Sequence, residues 1–523
     1  MQEAIKKLLK MKIKSRNDLM MAKRKIAREF ACGLIDNSEI LKYYNQALKK
    51  GKIKEISGFP MLLRKRAIRT MSGIAPVAVL TKPYDCPGTC AYCPRENDVP
   101  TSYLSNEPAV MRAIRCAYNP YVQVQDRLRA LIANGHEPTK IELIVIGGTW
   151  SVLPRKYKLW YVTNLFAAAN QFSIKNYELR IKEKYKYSMS IKKLEEALIS
   201  EQKKNEKAKY KIIGLTLETR PDYIDEKELE EMRELGCTRV EIGVQAIDDK
   251  ILKKNKRGHG VDRIVEATRL LKEYGFKITY HLMPGLPGAT VKRDKEMYDQ
   301  LFSDARFQPD QIKFYPTVVT KGSEMYKWWQ QGNFKPYTTK KLEDLIVHCK
   351  TNTPEYVRII RLIRDIPGES IEAGNKVTNL RQVMQQRGVK CSCIRCREVK
   401  NEKIDIKNQI LDIIRYQASG GEEFFIQIIN KERKLLGFCR LRLASDKKTA
   451  YVRELHVYGE LASIGGKKKT QHTGIGRKLM EKTEKLAKNN NCSKIKVISG
   501  VGVRGYYRRL GYRLKNTYME KKL

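Results

Sequence analysis

Three cysteines on one short loop constrain the fold of this 523-residue chain more than any other feature of its sequence. Cys86, Cys90 and Cys93 lie in the stretch KPYDCPGTCAYCP, after an apolar segment, Ile74–Leu80, that is typical of a buried strand. Three thiolates can bind three irons of an iron–sulfur cube, and the fourth iron then stays open for chemistry with a substrate. A tetrahedral zinc site would need a fourth ligand nearby, and none follows in the loop. The loop therefore predicts a 4Fe–4S cluster.

Tyr92, directly before the third cysteine, completes the pattern CxxxCx(aromatic)C, by which the chain resembles the radical S-adenosylmethionine superfamily. This resemblance implies S-adenosylmethionine as a cofactor and a partial parallel barrel of alternating strands and helices. The sequence agrees, because strand-like runs alternate with helical patterns. The predicted strands are 140–148, 212–218, 239–245, 277–283 and 311–317, and the clearest helices are 226–235 and 261–274.

Residues at the carboxyl ends of these strands are the site candidates, since parallel barrels carry their active sites there. Gly147, Gly148 and Thr149 match the superfamily's Gly-Gly motif, which implies that their backbone binds the methionyl amine, although a glycine pair is also a common turn. The ribose and the carboxylate of the cofactor need polar side chains as partners. We expect these from Glu218, Arg220, Glu241, Gln245 and His281. Salt bridges between strands are the structural alternative for them. Lys82 and Lys313 are catalytic candidates that contact the cofactor or an acyl group.

A second cysteine cluster lies outside any barrel pattern. Cys391, Cys393 and Cys396 form CxCxxC among basic residues, which we expect to lower the thiol pKa values so that a metal binds. This spacing favours structural zinc over a second iron–sulfur cluster or redox-active thiols. The fourth ligand stays open between Cys32, Cys349, His348 and a water.

The last part of the chain changes pattern. Strand-like runs at 423–429, 435–443 and 450–458 precede a glycine-rich loop that opens a helix, and the free amides of such a loop can bind a pyrophosphate. The loop residues are Gln471, His472, Thr473, Gly474, Ile475, Gly476, Arg477 and Lys478. Together with YYRRLGY near the end, this QxxGxG loop resembles the GNAT acetyltransferases. The resemblance implies an acyl-CoA site.

The GNAT resemblance also implies roles for particular side chains. The central strand would line the acetyl-CoA site through Glu454, Leu455, His456 and Val457. Tyr506 and Tyr507 would protonate or orient the thioester, and the structural alternative is that they pack the helix.

The charge of the chain points to a polyanionic partner. Lys and Arg number 103 against 58 Asp and Glu, a net charge of +45, and such an excess attracts nucleic acid. A lysine-biased proteome would spread the charge evenly, but residues 1–28 hold ten basic residues and two acidic ones, in a helical pattern. No apolar run reaches the roughly 18 to 20 residues of a membrane span, and the N-terminus lacks a secretory pattern. We therefore expect a cytoplasmic, RNA-binding protein without a membrane partner.

These parts predict an α/β chain of four segments: a basic helical region (1–70), to which the resemblance named next assigns tRNA binding, a radical S-adenosylmethionine barrel (71–365), a linker with the zinc-type cluster (366–400) and a GNAT domain (401–523). In this order, and through long blocks such as GLTLETRPD from Gly214 and KCSCIRCREV from Lys390, the chain resembles the family of Elongator catalytic subunits. It departs from that family at Arg95-Glu96, where a glycine pair is usual, and at 102–105, which reads SYLS in place of SYTG. Both departures concern contacts beside the first cluster.

The family resemblance implies carboxymethylation of C5 of the wobble uridine in tRNA anticodons. An electron donor would reduce the cluster, S-adenosylmethionine would yield a 5′-deoxyadenosyl radical, and the acetyl radical derived from acetyl-CoA would add to the uridine before thioester hydrolysis. The partners would be the anticodon stem-loop, acetyl-CoA, an electron donor, and a second copy or Elongator-type subunits. The alternatives are a lysine acetyltransferase that uses the GNAT domain alone, with Glu454 or His456 as base, and a non-catalytic tRNA-binding protein. The complete first cysteine cluster argues against both.

Overall fold

The structure, a computed structural model, describes residues 1–56, 58–64, 73–173, 183–377, 379–399, 409–458 and 474–523. Four helices open the chain: α1 (Gln2–Leu9), α2 (Arg16–Glu29), α3 (Asn37–Lys49) and α4 (Phe59–Leu63). Ser15 and Asp18 form a capping box at the start of α2. The helices enclose a small core of their own around Tyr44 and Phe59, and most of their basic side chains face outward. Among the described residues, no helix is long and apolar enough to cross a membrane.

The first sheet is an open parallel half-barrel in which seven strands lie in chain order. The strands are β1 (Ile74–Leu80), β2 (Lys140–Ile146), β3 (Lys211–Thr219), β4 (Arg239–Gln245), β5 (Lys277–Leu282), β6 (Gln311–Phe314) and β7 (Arg358–Arg361). The helices of this part are α5 (Pro108–Arg115), α6 (Pro120–Ala133), α7 (Arg155–Gln171), α8 (Ile191–Asn205), α9 (Glu226–Glu234), α10 (Asp249–Lys254), α11 (Val261–Glu273), α12 (Val291–Ser303), α13 (Glu324–Gln330) and α14 (Thr339–Thr351). The predicted barrel is confirmed, and β7 is an additional strand.

Local signals set the ends of these elements. The Asp225 side chain accepts the Glu228 backbone N–H at the start of α9, as an N-cap does. Gly236 and Gly275, with φ of +87° and +78°, follow α9 and α11 in the left-handed conformation that favours glycine. In the basic segment before β3, the described residues 183–209 include α8, which buries Leu194 and Leu198 next to α7.

Two short helices, α15 (Leu380–Gln386) and α16 (Ile394–Arg397), lead to the second sheet. Its seven strands have the spatial order β13-β14-β12-β11-β10-β9-β8, with β11 and β12 parallel and the other pairs antiparallel. The strands are β8 (Ile410–Ala418), β9 (Gly421–Ile429), β10 (Leu435–Leu443), β11 (Thr449–Val457), β12 (Lys494–Val497), β13 (Arg513–Lys515) and β14 (Tyr518–Lys522), and the helices are α17 (Ile475–Asn489) and α18 (Arg504–Arg508). Helix α17 packs on β9, β10 and β11, as the predicted GNAT fold requires.

The two sheets share one hydrophobic core and a tight interface. The loop after β12 passes so close to β3 that a Cβ atom at Gly500 would lie 1.9 Å from the Ile213 carbonyl oxygen. Buried ion pairs add to this contact, and Arg453 of β11 binds Asp310, which immediately precedes β6. The acetyltransferase-type sheet is therefore fastened to the amino ends of the barrel strands.

Candidate functional site

The first cysteine loop is held in place by two other loops of the barrel. The Ala91 N–H donates to the carbonyl of Asn255 at 3.1 Å, and the Ala91 carbonyl accepts the Met325 N–H at 2.8 Å. Cys90 is buried, whereas Cys86 and Cys93 are half-buried. This places the three thiols between the end of β1 and the connections that follow β4 and β6.

Charge around Cys90 favours its thiolate. A hydrogen bond with the Cys93 thiol lowers the pKa of Cys90 to about 4. The nearby Arg257 guanidinium acts in the same direction, and burial acts in the opposite direction. The three sulfur atoms do not gather within 4.8 Å of one another in the described part of the chain. Three thiols on one loop, one of them held as a thiolate, are the donor set that a 4Fe–4S cube needs when one of its irons is left open.

The glycine pair lies beside this loop. Gly147 and Gly148 have φ of +134° and +99°, and a Cβ atom at Gly147 would lie 2.1 Å from Thr81 Oγ1, so no larger residue fits there. The Thr149 hydroxyl lies 3.9 Å from the Cys86 sulfur. The structure thus brings the predicted amine-binding backbone next to the predicted cluster.

Four further candidates meet inside the barrel at the ends of β3 to β6. His281 Nε2 lies 2.8 Å from Glu241 Oε2, and its Nδ1 lies 3.4 Å from Glu218 Oε1. Lys313 also binds Glu241. Burial opposes the charge of Glu241, but Lys313 and His281 hold the pKa of this carboxyl well below its usual range. Glu241 in turn raises the pKa of Lys313 against the effect of burial.

Other candidates are placed separately. Gln245 has φ of +67°, and its buried Oε1 has no hydrogen-bond partner among the described residues, as expected of a group that awaits a ligand. Lys82 is exposed, and its ammonium lies 5.4 Å from the centre of the Tyr157 ring, outside the Glu241 group. Arg220 binds Asp222 through two hydrogen bonds of 3.0 and 2.8 Å.

The glycine-rich loop of the second sheet is described from Gly474 onward, and the predicted residues 471–473 lie outside the described residues. Gly474 has φ of +81° at the start of α17, and Ile475 is buried. A Cβ atom at Gly476 would lie 3.0 Å from the Tyr506 hydroxyl, whose oxygen is buried and has no partner in the described part of the chain. A tyrosine hydroxyl thus lies at the amino end of α17, where free amides favour a phosphate.

Comparisons with known proteins agree with both halves of this geometry. The chain matches the radical SAM superfamily over residues 82–301, the radical SAM C-terminal domain over 309–388 and the acetyltransferase (GNAT) family over 396–512. It is 42% identical over 517 residues to a tRNA uridine(34) acetyltransferase of Methanocaldococcus infernus, which covers 93% of this chain and 91% of the relative. It is 37% identical to Elongator complex protein 3 of Homo sapiens, over 88% of this chain and 86% of that protein.

A solved structure of the archaeal Methanocaldococcus infernus Elp3, with an N-terminal deletion, covers 87% of this chain and all of its own, with a TM-score of 0.72 at 37% identity. The chain belongs to the Elp3 family. The predicted resemblance to Elongator catalytic subunits is confirmed, and membership implies an enzyme with S-adenosylmethionine, a 4Fe–4S cluster and acetyl-CoA as cofactors.

The remaining candidate residues of the acetyltransferase half of this Elp3-family chain range from buried to exposed. Tyr507 is buried, which raises its pKa far above the usual value. Arg477 pairs with Glu481 at 2.9 Å on the exposed face of α17, and Lys478 is also exposed. Leu455 and Val457 lie half-buried near the end of β11.

The two candidate bases of β11, Glu454 and His456, differ in charge. Glu454 lies 2.7 Å from Lys277 Nζ and 3.0 Å from Arg440 Nε, and these cations lower its pKa to about 2 although burial acts in the opposite direction. Burial lowers the pKa of His456 to about 4, so its ring is neutral, and it lies 4.2 Å from the Tyr458 ring. Glu454 therefore serves the interface with the barrel, which weakens its candidacy as a base for a lysine amine.

The second cysteine cluster has compact geometry. The sulfur atoms of Cys391, Cys393 and Cys396 all lie within 4.8 Å of one another, and a tetrahedral zinc with Zn–S bonds of about 2.3 Å needs sulfurs about 3.8 Å apart. Hydrogen bonds from the other two thiols hold the pKa of Cys393 well below its usual value. Hydrogen bonds with Cys393 and Cys396 raise the pKa of Cys391, so it is the distances between the three sulfurs that suit a shared metal ion.

The surroundings of this second cluster bear on two expectations. Arg395 donates to the Ile360 carbonyl and Arg397 to carbonyls and Gln427, whereas Lys350 Nζ lies 3.8 Å from the Cys396 sulfur. Within the described chain, neither Cys32, Cys349 nor His348 joins the three sulfurs within 4.8 Å, and His348 binds Asp299 instead.

Some residues of the site carried no clear sequence signal. Arg257, in the connection after α10, donates to the Cys90 sulfur, and Tyr103 donates to Glu218 at 2.8 Å. The departures from the family pattern also have contacts here: Arg95 donates to the Gly88 carbonyl inside the cysteine loop, and Glu96 accepts the Ser105 N–H. Only the spatial meeting of separate loops reveals these contacts.

Proposed function

We propose that this chain converts uridine 34 of tRNA to 5-carboxymethyluridine, with a 4Fe–4S cluster, S-adenosylmethionine and acetyl-CoA. The observation that carries the proposal is one continuous core that joins a three-cysteine half-barrel to an acetyltransferase sheet, in a chain 42% identical to a protein named for uridine 34. Radical chemistry can form a carbon–carbon bond at C5 of uridine, and an acyl-CoA site can supply a two-carbon donor. The chain offers both types of site.

In the barrel, Cys86, Cys90 and Cys93 would hold the cluster, which when bound supplies the electron that starts radical chemistry on S-adenosylmethionine. The backbone of Gly147 and Gly148 would bind the methionyl amine of that cofactor. The remaining polar groups of that cofactor would bind to Glu218, Glu241, Gln245 and His281: carboxylate and amide oxygens accept hydrogen bonds from hydroxyl groups, whereas a carboxylate needs a donor such as an imidazole N–H. Arg220, Thr149 and Lys82 would contribute at the rim.

Lys313 is the candidate for contact with the acyl group. Its ammonium is buried and stays protonated because Glu241 raises its pKa, so it can donate hydrogen bonds to a thioester oxygen inside the barrel. In the acetyltransferase half, residues 471–478 would bind the pyrophosphate of acetyl-CoA, and the Tyr506 hydroxyl would donate to the thioester. Tyr507 would keep Tyr506 in place, since their rings lie 5.2 Å apart.

Three further assignments belong to this proposal. Cys391, Cys393 and Cys396 would bind a structural zinc, because their sulfurs have the spacing of a tetrahedral site. Residues 1–70 would bind the anticodon arm, since basic helices complement phosphates. We also predict that the chain has an electron donor as a partner, and either Elongator-type subunits or a second copy of itself.

The lysine acetyltransferase alternative is not favoured. It would require a general base on β11, and Glu454 is already paired with Lys277 and Arg440. The neutral His456 ring has a pKa of about 4, which makes it a weak base at neutral pH.

The deciding experiment is nucleoside mass spectrometry of tRNA after anaerobic incubation with cluster-reconstituted protein, S-adenosylmethionine, a reductant and acetyl-CoA. We expect a gain of about 58 Da on uridine, the mass of an added carboxymethyl group, which depends on all four components. Cys90→Ala is the inactive control, and Cys116→Ala, a half-buried cysteine outside both clusters, is the matched active control. Wild-type protein that binds a cluster but leaves uridine unchanged, while it acetylates protein lysines, would refute the proposal.

A further inference from the structure

Two buried arginines converge on a single cysteine sulfur. Nη1 of Arg257 lies 3.4 Å from Cys90 Sγ, and Nη1 of Arg220 lies 3.7 Å from the same atom. The two side chains come from separate connections, one after α10 and one after β3, and only 4% and 6% of these residues is exposed. Because burying a cation is costly unless it is paired, two such cations on one sulfur need an explanation beyond packing.

The backbone around the two guanidinium groups is shaped to admit them. A Cβ atom at Gly88 would lie 2.0 Å from Nη1 of Arg220, and a Cβ atom at Gly243 would lie 2.8 Å from Nη2 of Arg257. The groups are also fixed in orientation, since Arg257 donates to the Gly243 carbonyl at 2.5 Å and Arg220 donates to the Arg257 carbonyl at 2.8 Å. The glycines thus allow a close approach that side chains would block.

The charges at this site do not cancel. Asp222 binds Arg220, whereas Arg257 forms no ion pair with a carboxylate among the described residues, and its buried Nε has no hydrogen-bond partner there. His259 adds no charge, because burial, with Arg257 nearby, lowers its pKa to about 4. One positive charge therefore stays uncompensated by acidic side chains and faces the cysteine sulfur.

We propose that Arg220 and Arg257 raise the reduction potential of the 4Fe–4S cluster at the first cysteine loop by holding a net positive charge against Cys90. The inference rests on the proposed function only for the presence of that cluster. Reduction takes one electron from an external reductant and adds one negative charge at the cysteine-ligated site, and no bond of the protein breaks. A fixed cation beside a ligand sulfur stabilises the more negative, reduced form.

Burial makes this effect specific to these two arginines. Charges on the surface are screened by salt within about 10 Å at 0.1 M ionic strength, whereas buried charges are screened much less. The exposed Lys256, next to Arg257 in the chain, is instead paired with Glu324 at 2.5 Å and has a side chain 49% exposed. It offers a matched control in which one positive charge is removed nearby.

The test compares wild-type protein with Arg257→Met, Arg220→Met, Arg257→Lys and the control Lys256→Met. Each full-length protein is reconstituted with iron and sulfide, its iron content is measured, and the midpoint potential is obtained by dithionite titration followed by electron paramagnetic resonance. We expect a lower midpoint potential in both Met variants, a value near wild type in Arg257→Lys, and no shift in Lys256→Met. The two lowered values should persist at high salt, because the removed charges are buried.

An unchanged midpoint potential in Arg257→Met, at the iron content of the wild type, would overturn the inference. If Arg257→Met loses its cluster, the midpoint potential of Arg220→Met is the test instead. An unchanged potential in Arg220→Met would then overturn the inference. A shift of equal size in Lys256→Met would also refute the assignment to the buried pair. Failure of the proposed function looks different, since wild-type protein would then bind its cluster but leave uridine unchanged in the tRNA assay, whatever the midpoint potentials of these variants.

Discussion

The substitution Arg453→Met tests whether buried charges hold the two sheets together. The Arg453 guanidinium donates to Asp310 at 3.0 and 2.5 Å, to Glu423 at 2.8 Å and to the Phe276 carbonyl at 2.5 Å, and its side chain is fully buried. Removing one partner of a buried ion pair costs about 3 to 5 kcal/mol, because the remaining charge is left uncompensated. Both carboxylates keep another cation, since Arg440 lies 3.5 Å from Asp310 and Lys272 lies 3.3 Å from Glu423, so the lower figure applies.

A loss of about 3 kcal/mol corresponds to a decrease of roughly 3 °C in Tm, because an unfolding entropy of about 2.1 cal/mol/K per residue gives about 1 °C per kcal/mol for a cooperative unit of this length. Circular dichroism at a fixed heating rate measures it. The control is Arg415→Met, since Arg415 pairs with Glu422 on the exposed side of the same sheet, and no measurable change is expected. A Tm for Arg453→Met equal to that of the control would refute the reasoning.

The pH dependence supplies a second readout for the same variant. Burial acts to raise the pKa values of Asp310 and Glu423, but Arg453 and Lys272 hold both below their usual ranges. A depressed carboxyl pKa contributes stability above the unfolded value, about 4, and this contribution is lost as pH falls through the folded value. The Tm difference between wild type and Arg453→Met should therefore be full at pH 7 and shrink below about pH 4. A constant difference over this range would exclude the electrostatic explanation.

Four other perturbations have defined outcomes. Burial raises the pKa of Asp294 to about 6, so ionisation of this carboxyl destabilises the fold as pH rises. In urea unfolding, Asp294→Asn should therefore be more stable than wild type by up to about 3 kcal/mol at pH 8, and no more stable at pH 4. Cys393→Ser should lose one equivalent of zinc by elemental analysis, whereas Cys32→Ser should keep it. Gly147→Ala, with its clash of 2.1 Å, should weaken S-adenosylmethionine binding in calorimetry. Deletion of residues 1–28 should weaken tRNA binding in a filter assay more than it slows S-adenosylmethionine cleavage.

The barrel could be predicted from the sequence because parallel strands buried on both faces give continuous apolar runs. β1 and β4 have the predicted boundaries, and the other predicted strands differ only at their ends. β7, with the sequence RIIR, was missed because it is short and carries arginines at both ends. β8 lies at the edge of its sheet and mixes charged with apolar residues, so no buried run marks it.

The residue types of the candidate site could be predicted, but their pairings could not. Strand ends indicated Glu241, His281 and Lys313 individually, whereas their mutual contacts depend on the register of β4, β5 and β6. Arg257 lay beyond prediction, because it reaches Cys90 from a loop 167 residues further along the chain. Contacts of this kind follow from the tertiary fold rather than from local pattern.

The buried charges at the interface also bear on how the barrel and the acetyltransferase sheet are joined. Lys277 of the barrel binds Glu454 of the acetyltransferase sheet, and Arg453 of that sheet binds Asp310 of the barrel. Each half therefore contributes both a cation and a carboxylate to the interface. Separating the halves would leave unpaired charges on each surface, at a cost of several kcal/mol per ion if they stayed buried. The fold therefore favours one two-domain unit over an independent acetyltransferase.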